Sequence, residues 1–313
     1  MEPVRKPLPA GGRRLLLLLA VLFIMTAGAL VWRQSFYPSP QPPVTATEFD
    51  ARMLATGGEA FVQLPAPSPN RKLTEAQEAL TGRRPLRALS LAAEMLAADP
   101  GNADALIIRV RAYFLNNEME QAAKAIAEVL KVHPDLPEAY LYRGHLFKAR
   151  KLYAEAAADY SRAISLNPAW AAAYYHRGDV SLLTGKLDAA RDDFTAAIDR
   201  QRGSVRPLPT PYFKRGRILY LQREHKAAIK DLSRAVELAP SMYEAYLYRA
   251  NALAALGRFE TAIHDYDTVL KLKPDTALAY YGRALVWREK GDAQKAAADF
   301  LQAEKLGVKR PRK

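Results

Sequence analysis

Apolar and polar positions follow two different patterns along the chain. From Leu15 to Trp32 (LLLLLAVLFIMTAGALVW) there is no charge at all. As a helix this run would span about 27 Å, close to the roughly 30 Å core of a bilayer. It is apolar on every face, so it predicts a membrane segment and not a core helix. Residues 33–68 follow, with Pro38, Pro40, Pro42, Pro43, Pro65, Pro67 and Pro69 in or beside them. Proline at that density prevents regular helix and predicts an extended linker. From about residue 69 the apolar positions return at helical spacing, with a longer period imposed on them. Pro100, Pro134, Pro168, Pro240 and Pro274 are 34, 34, 72 and 34 residues apart. The 72 is two periods plus four residues, inserted in the stretch Arg202–Pro209.

Placing each proline at position 32 of a 34-residue unit gives units starting near 69, 103, 137, 171, 209, 243 and 277. Position 20 is then Ala88, Ala122, Ala156, Ala190, Ala228, Ala262 and Ala296. Position 8 is Ala76, Val110, Gly144, Gly178, Gly216, Ala250 and Ala284. Small residues in such a register predict paired helices crossing closely, with positions 8 and 20 facing each other. Position 24 is mostly large (Ile126, Tyr160, Phe194, Leu232, Tyr266, Phe300), and position 4 is Tyr140, Tyr174, Tyr212, Tyr246 and Tyr280 from the third unit on. Burying each such side chain is worth about 1.5–3 kcal/mol. The proline ends the second helix of each unit and starts the turn into the next.

With small residues at 27 as well (Ala163, Ala197, Ala235, Ala303), the pattern resembles the tetratricopeptide repeat. YLYRGHLFKARKLYAEAAADYSRAISLNP and YLYRANALAALGRFETAIHDYDTVLKLKP carry the resemblance most clearly. It covers 69–308. The first unit is degenerate, with Pro85 near the start of its second helix, and the seventh lacks the terminal proline. The resemblance implies an all-α, right-handed superhelical solenoid of about seven helix pairs, behind the N-terminal membrane helix.

It also implies a concave groove lined by first-helix positions 2, 5, 6, 9, 12 and 13. Transferred to this sequence, the groove holds Tyr142, His145, Tyr175, His176, Phe213, Lys214, Arg217, Tyr248, Asn251 and Tyr281. Such an aromatic strip with a few cations and hydrogen-bonding groups suits a protein or peptide ligand. Packing between units is the competing account of the same aromatics. Family members that grip a peptide carboxylate use Lys and Asn at set groove positions. Here those positions carry Tyr175, Asp179, Phe213 and Arg217, and only Asn251 matches, so that clamp is not expected.

Position 7 is an arginine column (Arg109, Arg143, Arg177, Arg215, Arg249, Arg283), and position 23 is Asp159, Asp193, Asp231, Asp265 and Asp299. On antiparallel helices the two columns lie at nearly matching heights. They predict a ladder of ion pairs, each worth at most about 1 kcal/mol if exposed.

The net charge of +13 alters this picture little. Part of the excess precedes the apolar run (Arg5, Lys6, Arg13, Arg14) and part lies in the tail 309–313; no groove-reading motif accompanies it, so nucleic acid is not expected. The absence of cysteine excludes disulfides, thiolate metal sites and thiol nucleophiles. Of five histidines, only His145 and His176 fall near each other, with no third ligand, so no metal is expected. Phosphate-loop, dinucleotide, zincin and nucleophile-elbow motifs are absent, and the expectation is a binding protein with no cofactor.

Four basic residues in segment 1–14 precede the span, while only Arg33 and Arg52 follow closely, which predicts a cytoplasmic N-terminus. A single-pass anchor would then hold the repeat array outside the cytoplasm, in the periplasm if the membrane is a bacterial inner one. Ala27-Gly28-Ala29 reads alternatively as a cleavage site, which would release a soluble exported carrier or chaperone. Apolar residues continuing through Leu30, Val31 and Trp32 favour the anchor. Oligomeric state, partner identity and pathway have no signature in the sequence.

Overall fold

A computed structural model of the protein describes residues 71–202, 204 and 207–308. The predicted membrane span 15–32, the linker 33–68 and the tail 309–313 lie outside the described residues. Among the described residues, no helix is long and apolar enough to cross a membrane.

The fold is an all-α solenoid of fourteen helices among the described residues. The pairs are α1 (Arg71–Thr81) with α2 (Pro85–Ala98), α3 (Ala103–Leu115) with α4 (Met119–Val132), and α5 (Pro137–Ala149) with α6 (Tyr153–Leu166). Next come α7 (Ala171–Leu183) with α8 (Leu187–Asp199), and α9 (Pro209–Leu221) with α10 (His225–Leu238). The last two are α11 (Tyr243–Ala255) with α12 (Phe259–Leu272), and α13 (Ala277–Glu289) with α14 (Ala293–Lys305). Each second helix also packs on the first helix of the following pair. First helices touch first helices at α1–α3, α3–α5, α9–α11 and α11–α13, which makes a shared first-helix face.

Local chemistry sets the ends. Pro85, Pro137 and Pro209 begin helices at a position where no backbone N–H is needed. Pro85 therefore starts α2 cleanly, although in the sequence it looks like a flaw in the first unit. Asn102 and Asp292 cap α3 and α14 by accepting the N–H of Ala105 and Lys295. Inside each pair the first helix ends in one recurring motif. At the third pair, Leu152 N–H reaches Phe147 C=O and Lys151 N–H reaches Lys148 C=O.

That motif needs one residue in the left-handed region. It is Gly185, Gly257 and Gly291 in three pairs, but Arg83, Asn117, Lys151 and Arg223 in the others. An L-residue there costs about 1–2 kcal/mol, of which glycine's greater freedom when unfolded takes back about 0.5–1. Arg223→Gly is accordingly expected to stabilise the array by about 0.5–1 kcal/mol, read as a higher urea midpoint with an unchanged slope. A lower midpoint would show that the Arg223 side chain matters more than its backbone.

The position-20 alanines are buried, six of them completely. Position 8 is small for a reason only partly visible in the sequence. A methyl on Gly144 would lie 2.6 Å from Tyr160 Cε1, and one on Gly216 2.8 Å from Leu232 Cγ. At Gly178 it would meet Asp193 Cβ at 3.0 Å, the Phe194 ring at 3.2 Å and the Ala190 carbonyl at 3.3 Å. Position 8 thus makes room chiefly for the large side chain at 24, and less for the alanine at 20.

The arginine column is a ladder of forked pairs. Arg143, Arg177, Arg215, Arg249 and Arg283 each hold both oxygens of Asp159, Asp193, Asp231, Asp265 and Asp299 respectively. The aspartates are buried, so each depends on its forked guanidinium to replace the water it has lost. Arg109 has Ala125 opposite it and pairs with Glu128 instead.

Four of the arginines also reach back to the preceding pair. Arg177 Nη1 donates to Ser161 Oγ (3.1 Å), Arg215 to Thr195 Oγ1 (3.1 Å), Arg249 to Ser233 Oγ (3.2 Å) and Arg283 to Asp267 Oδ1 (2.5 Å). Three of these joints span 16 residues. The Arg215–Thr195 joint spans 20, because it crosses the four-residue insertion.

Candidate functional site

The expected strip divides in two. Tyr142, His145, Tyr175, His176 and Lys214 are buried, at 1–9% exposure. Phe213, Arg217, Tyr248, Asn251 and Tyr281 are half-buried and reach the surface. The buried members fill the space between neighbouring first helices, as the packing account has it, and offer a ligand little area.

At the joint of α5 and α7 the aromatic groups form one chain. Phe114 meets Tyr142 (centroids 5.6 Å), Tyr142 meets His145 (5.8 Å), and His145 meets His176 edge-on (4.3 Å). Tyr160 lies beneath, stacked on His176 at 5.7 Å, with its hydroxyl 2.8 Å from His145 Nδ1. The two imidazoles therefore pack edge to face. Among the described residues no group of three His, Cys, Asp or Glu side chains is placed to hold a metal.

Beside them is a charge relay across three units. Asp179 on α7 accepts from Lys148 Nζ on α5 (3.2 Å) and from Lys214 Nζ on α9. Burial alone would raise the Asp179 carboxyl, but Lys214 and Lys148 override it and hold it well below the usual carboxylate range. Sequence reading passed over this relay. Its signal was available in the register: an acid at position 9, a lysine at 12 of the unit before and another at 6 of the unit after.

Burial keeps both imidazoles neutral. It pushes His176 down to about 3, helped by Lys148, and pushes His145 well down, helped by His176. An unfolded histidine titrates near 6.5, so the folded state refuses protons that the unfolded chain accepts below that pH. The stabilising contribution is complete above about 6.5 and is lost as pH falls through and below it, toward about 3 for His176. Each histidine costs about 1.4 kcal/mol per pH unit in that range. Between pH 6.5 and 5 the urea midpoint is expected to fall steeply, and His176→Gln should remove roughly half of the slope. A flat midpoint over that interval would contradict the buried, neutral assignment.

Farther along, the half-exposed side chains gather on α9 and α11. Phe213 and Tyr248 meet edge to face at 6.0 Å, Tyr220 packs on Tyr248 at 5.7 Å, and the Arg217 guanidinium lies 5.9 Å from the Tyr248 centroid. Asn251 Oδ1 accepts from the fully buried Tyr266 hydroxyl (2.6 Å). Tyr281 meets Phe300 at 5.5 Å. The first-helix face there offers aromatic area, a guanidinium and amide N–H groups, which can bind but carry out no evident chemistry.

Comparison with known proteins agrees with the helical-repeat fold. A tetratricopeptide repeat family model matches residues 141–205, 213–265 and 247–309, more than half of the chain, and a second one matches 79–143. The peptide N-acetylglucosaminyltransferase of Giardia intestinalis is 40% identical over 70 residues, 22% of this chain. The mitochondrial import receptor subunit TOM70 of Homo sapiens is 28% identical over 98 residues, 31% of this chain. These stretches are 5% and 16% of the two relatives' own lengths, so the likeness is one of repeats. Among solved structures, the repeat protein YrrB, whose structure is described as having an unusual peptide-binding site, superposes with a TM-score of 0.55 at 24% identity. The superposition covers 59% of this chain and 94% of that one.

Proposed function

Because the chain belongs to the tetratricopeptide repeat family, we propose that it is a membrane-anchored scaffold that holds a protein or peptide on its first-helix face. The observation that carries the binding reading is the half-exposed strip of Phe213, Arg217, Tyr248, Asn251 and Tyr281. Rigid aromatics give contact area at small entropic cost, and the polar groups fix orientation. The molecule acts by binding and not by catalysis, in keeping with its likeness to repeat scaffolds. Residues 15–32 tether it, the N-terminus stays in the cytoplasm, and the array works in the bacterial envelope, where it organises envelope or secretion proteins.

The test of the binding surface is a photoreactive residue at Phe213 with a second at Leu152 as control. Leu152 lies in the turn between α5 and α6, outside the strip, and is 40% exposed. Adducts at 213 and not at 152 support the proposal; equal capture at both sinks it. The anchor is tested by carbonate extraction and by sequencing the mature N-terminus. Protein retained in the membrane pellet supports the tether. A soluble species beginning at Leu30 supports the second reading, an exported carrier or chaperone, which the Ala27-Gly28-Ala29 motif favours. A C-terminal reporter active only in the cytoplasm would reverse the proposed orientation.

A further inference from the structure

Position 9 of the first helices is His145, Asp179, Arg217 and Asn251 in four successive units. Three of the four are tied down. His145 is hydrogen-bonded to Tyr160, Asp179 is held by two lysines, and Asn251 takes the Tyr266 proton on Oδ1. Burial, reinforced by Tyr220 and Asp265, holds the Tyr266 hydroxyl far above its ordinary range, so it keeps the proton it donates. One lone pair of the Asn251 carbonyl is thereby taken, and the amide keeps its two N–H groups to donate.

Arg217 stands apart. Arginines at position 7 from the third unit to the seventh are each forked onto a buried aspartate. Among the described residues Arg217 has no carboxylate within ion-pair distance, and its recorded contact is with the Tyr248 ring. It is half-exposed, beside Phe213 and Tyr248. The patch thus combines a guanidinium, amide N–H donors and two aromatic rings. Lys214, one turn earlier on the same helix, shares the Asp179 carboxylate with Lys148.

We propose that Phe213, Arg217, Tyr248 and Asn251 receive an aspartate or glutamate side chain of an extended partner segment, with an adjacent apolar residue lying on the Phe213 and Tyr248 rings. Charge complementarity selects the occupant: a carboxylate suits the Arg217 guanidinium and the N–H groups of Asn251, whereas a lysine or arginine would meet like charge. Tyr281 of the following first helix also reaches the surface, so the segment need not end at this patch. This inference rests on the reading of the first-helix face as the binding surface.

The test uses the full chain in mild detergent and a positional library of fluorescent octapeptides, acetylated and amidated, with a second arm bearing free C-termini. The expected result is enrichment of Asp or Glu next to Phe, Tyr or Leu in the amidated arm. Changing that acid to its amide should weaken binding about tenfold for the parent chain and less than about twofold for Arg217→Gln. Arg217 is half-exposed, so the variant should melt within about 2 °C of the parent; a larger drop moves the comparison to Arg217→Met, which keeps the apolar stem and must show the same loss of acid preference. Peptides selected without an acid, an acid preference that survives both substitutions, or binding that requires a free C-terminus would each overturn the inference and leave the scaffold reading standing. Retention of no peptide in either arm would remove the scaffold reading and this inference with it.

Discussion

Replacing Asp265 by alanine is expected to destabilise the array by about 3–5 kcal/mol. Asp265 is 2% exposed, and both its oxygens receive Arg249, Nε and Nη2, at 2.7 Å. Removing the carboxylate strands a guanidinium that is itself mostly out of water, and an uncompensated buried charge costs more than the lost pair was worth. The same guanidinium donates to Ser233 of the preceding pair, so the damage reaches the joint between units. In a solenoid, stability is approximately a sum of unit and interface contributions. The loss should therefore appear in urea unfolding as an early transition of the sixth and seventh pairs, not as a uniform shift. Asp265→Leu combined with Arg249→Met removes both charges and should recover most of the loss. A single alanine variant within about 1 kcal/mol of the parent would show that the ladder is a surface feature after all.

Tyr160→Ala should cost a similar amount, about 3–5 kcal/mol, through a cavity. Tyr160 is completely buried and packs where Gly144 leaves no room for even a methyl. The truncation also takes the hydroxyl from His145 and the ring from beneath His176. Tyr160→Phe separates the contributions, keeping the volume and losing only the hydrogen bond, and should cost about 1–2 kcal/mol. Equal losses for the two substitutions would mean that the hydroxyl, and not the ring, holds the α5–α7 joint. Gly144→Ala in the Tyr160→Ala background is expected to be milder than in the parent, since the atom it would strike is gone.

Much of the fold was legible because each repeat must solve one steric problem. The alanine at position 20 and the proline at 32 mark a close crossing and a helix end, and both are where the register puts them. The arginine and aspartate columns could be matched from sequence because antiparallel helices fix which heights meet. Three things were not legible. The left-handed residue is Arg83, Lys151 or Arg223 in three units, types that carry no turn signal, so the closing motif recurs in space without a recurring residue in the sequence. The sequence cannot say whether a first-helix aromatic turns toward its neighbour or toward open space. Tyr142, Tyr175 and the two histidines turn inward, while Phe213 and Tyr248 remain at the surface. The Lys148–Asp179–Lys214 relay joins residues 31 and 35 apart on three helices and required the register to be read diagonally.

The Arg215–Thr195 joint has the same form as its neighbours although four more residues separate its partners. Spacing in sequence and pitch in space are therefore uncoupled at that connector. Side chains act as rivets across it. An insertion between the fourth and fifth pairs would lengthen the strap while leaving the fastening alone. Evolution, or an engineer seeking a place for a tag, can vary that strap without re-aiming anything the neighbouring helices present.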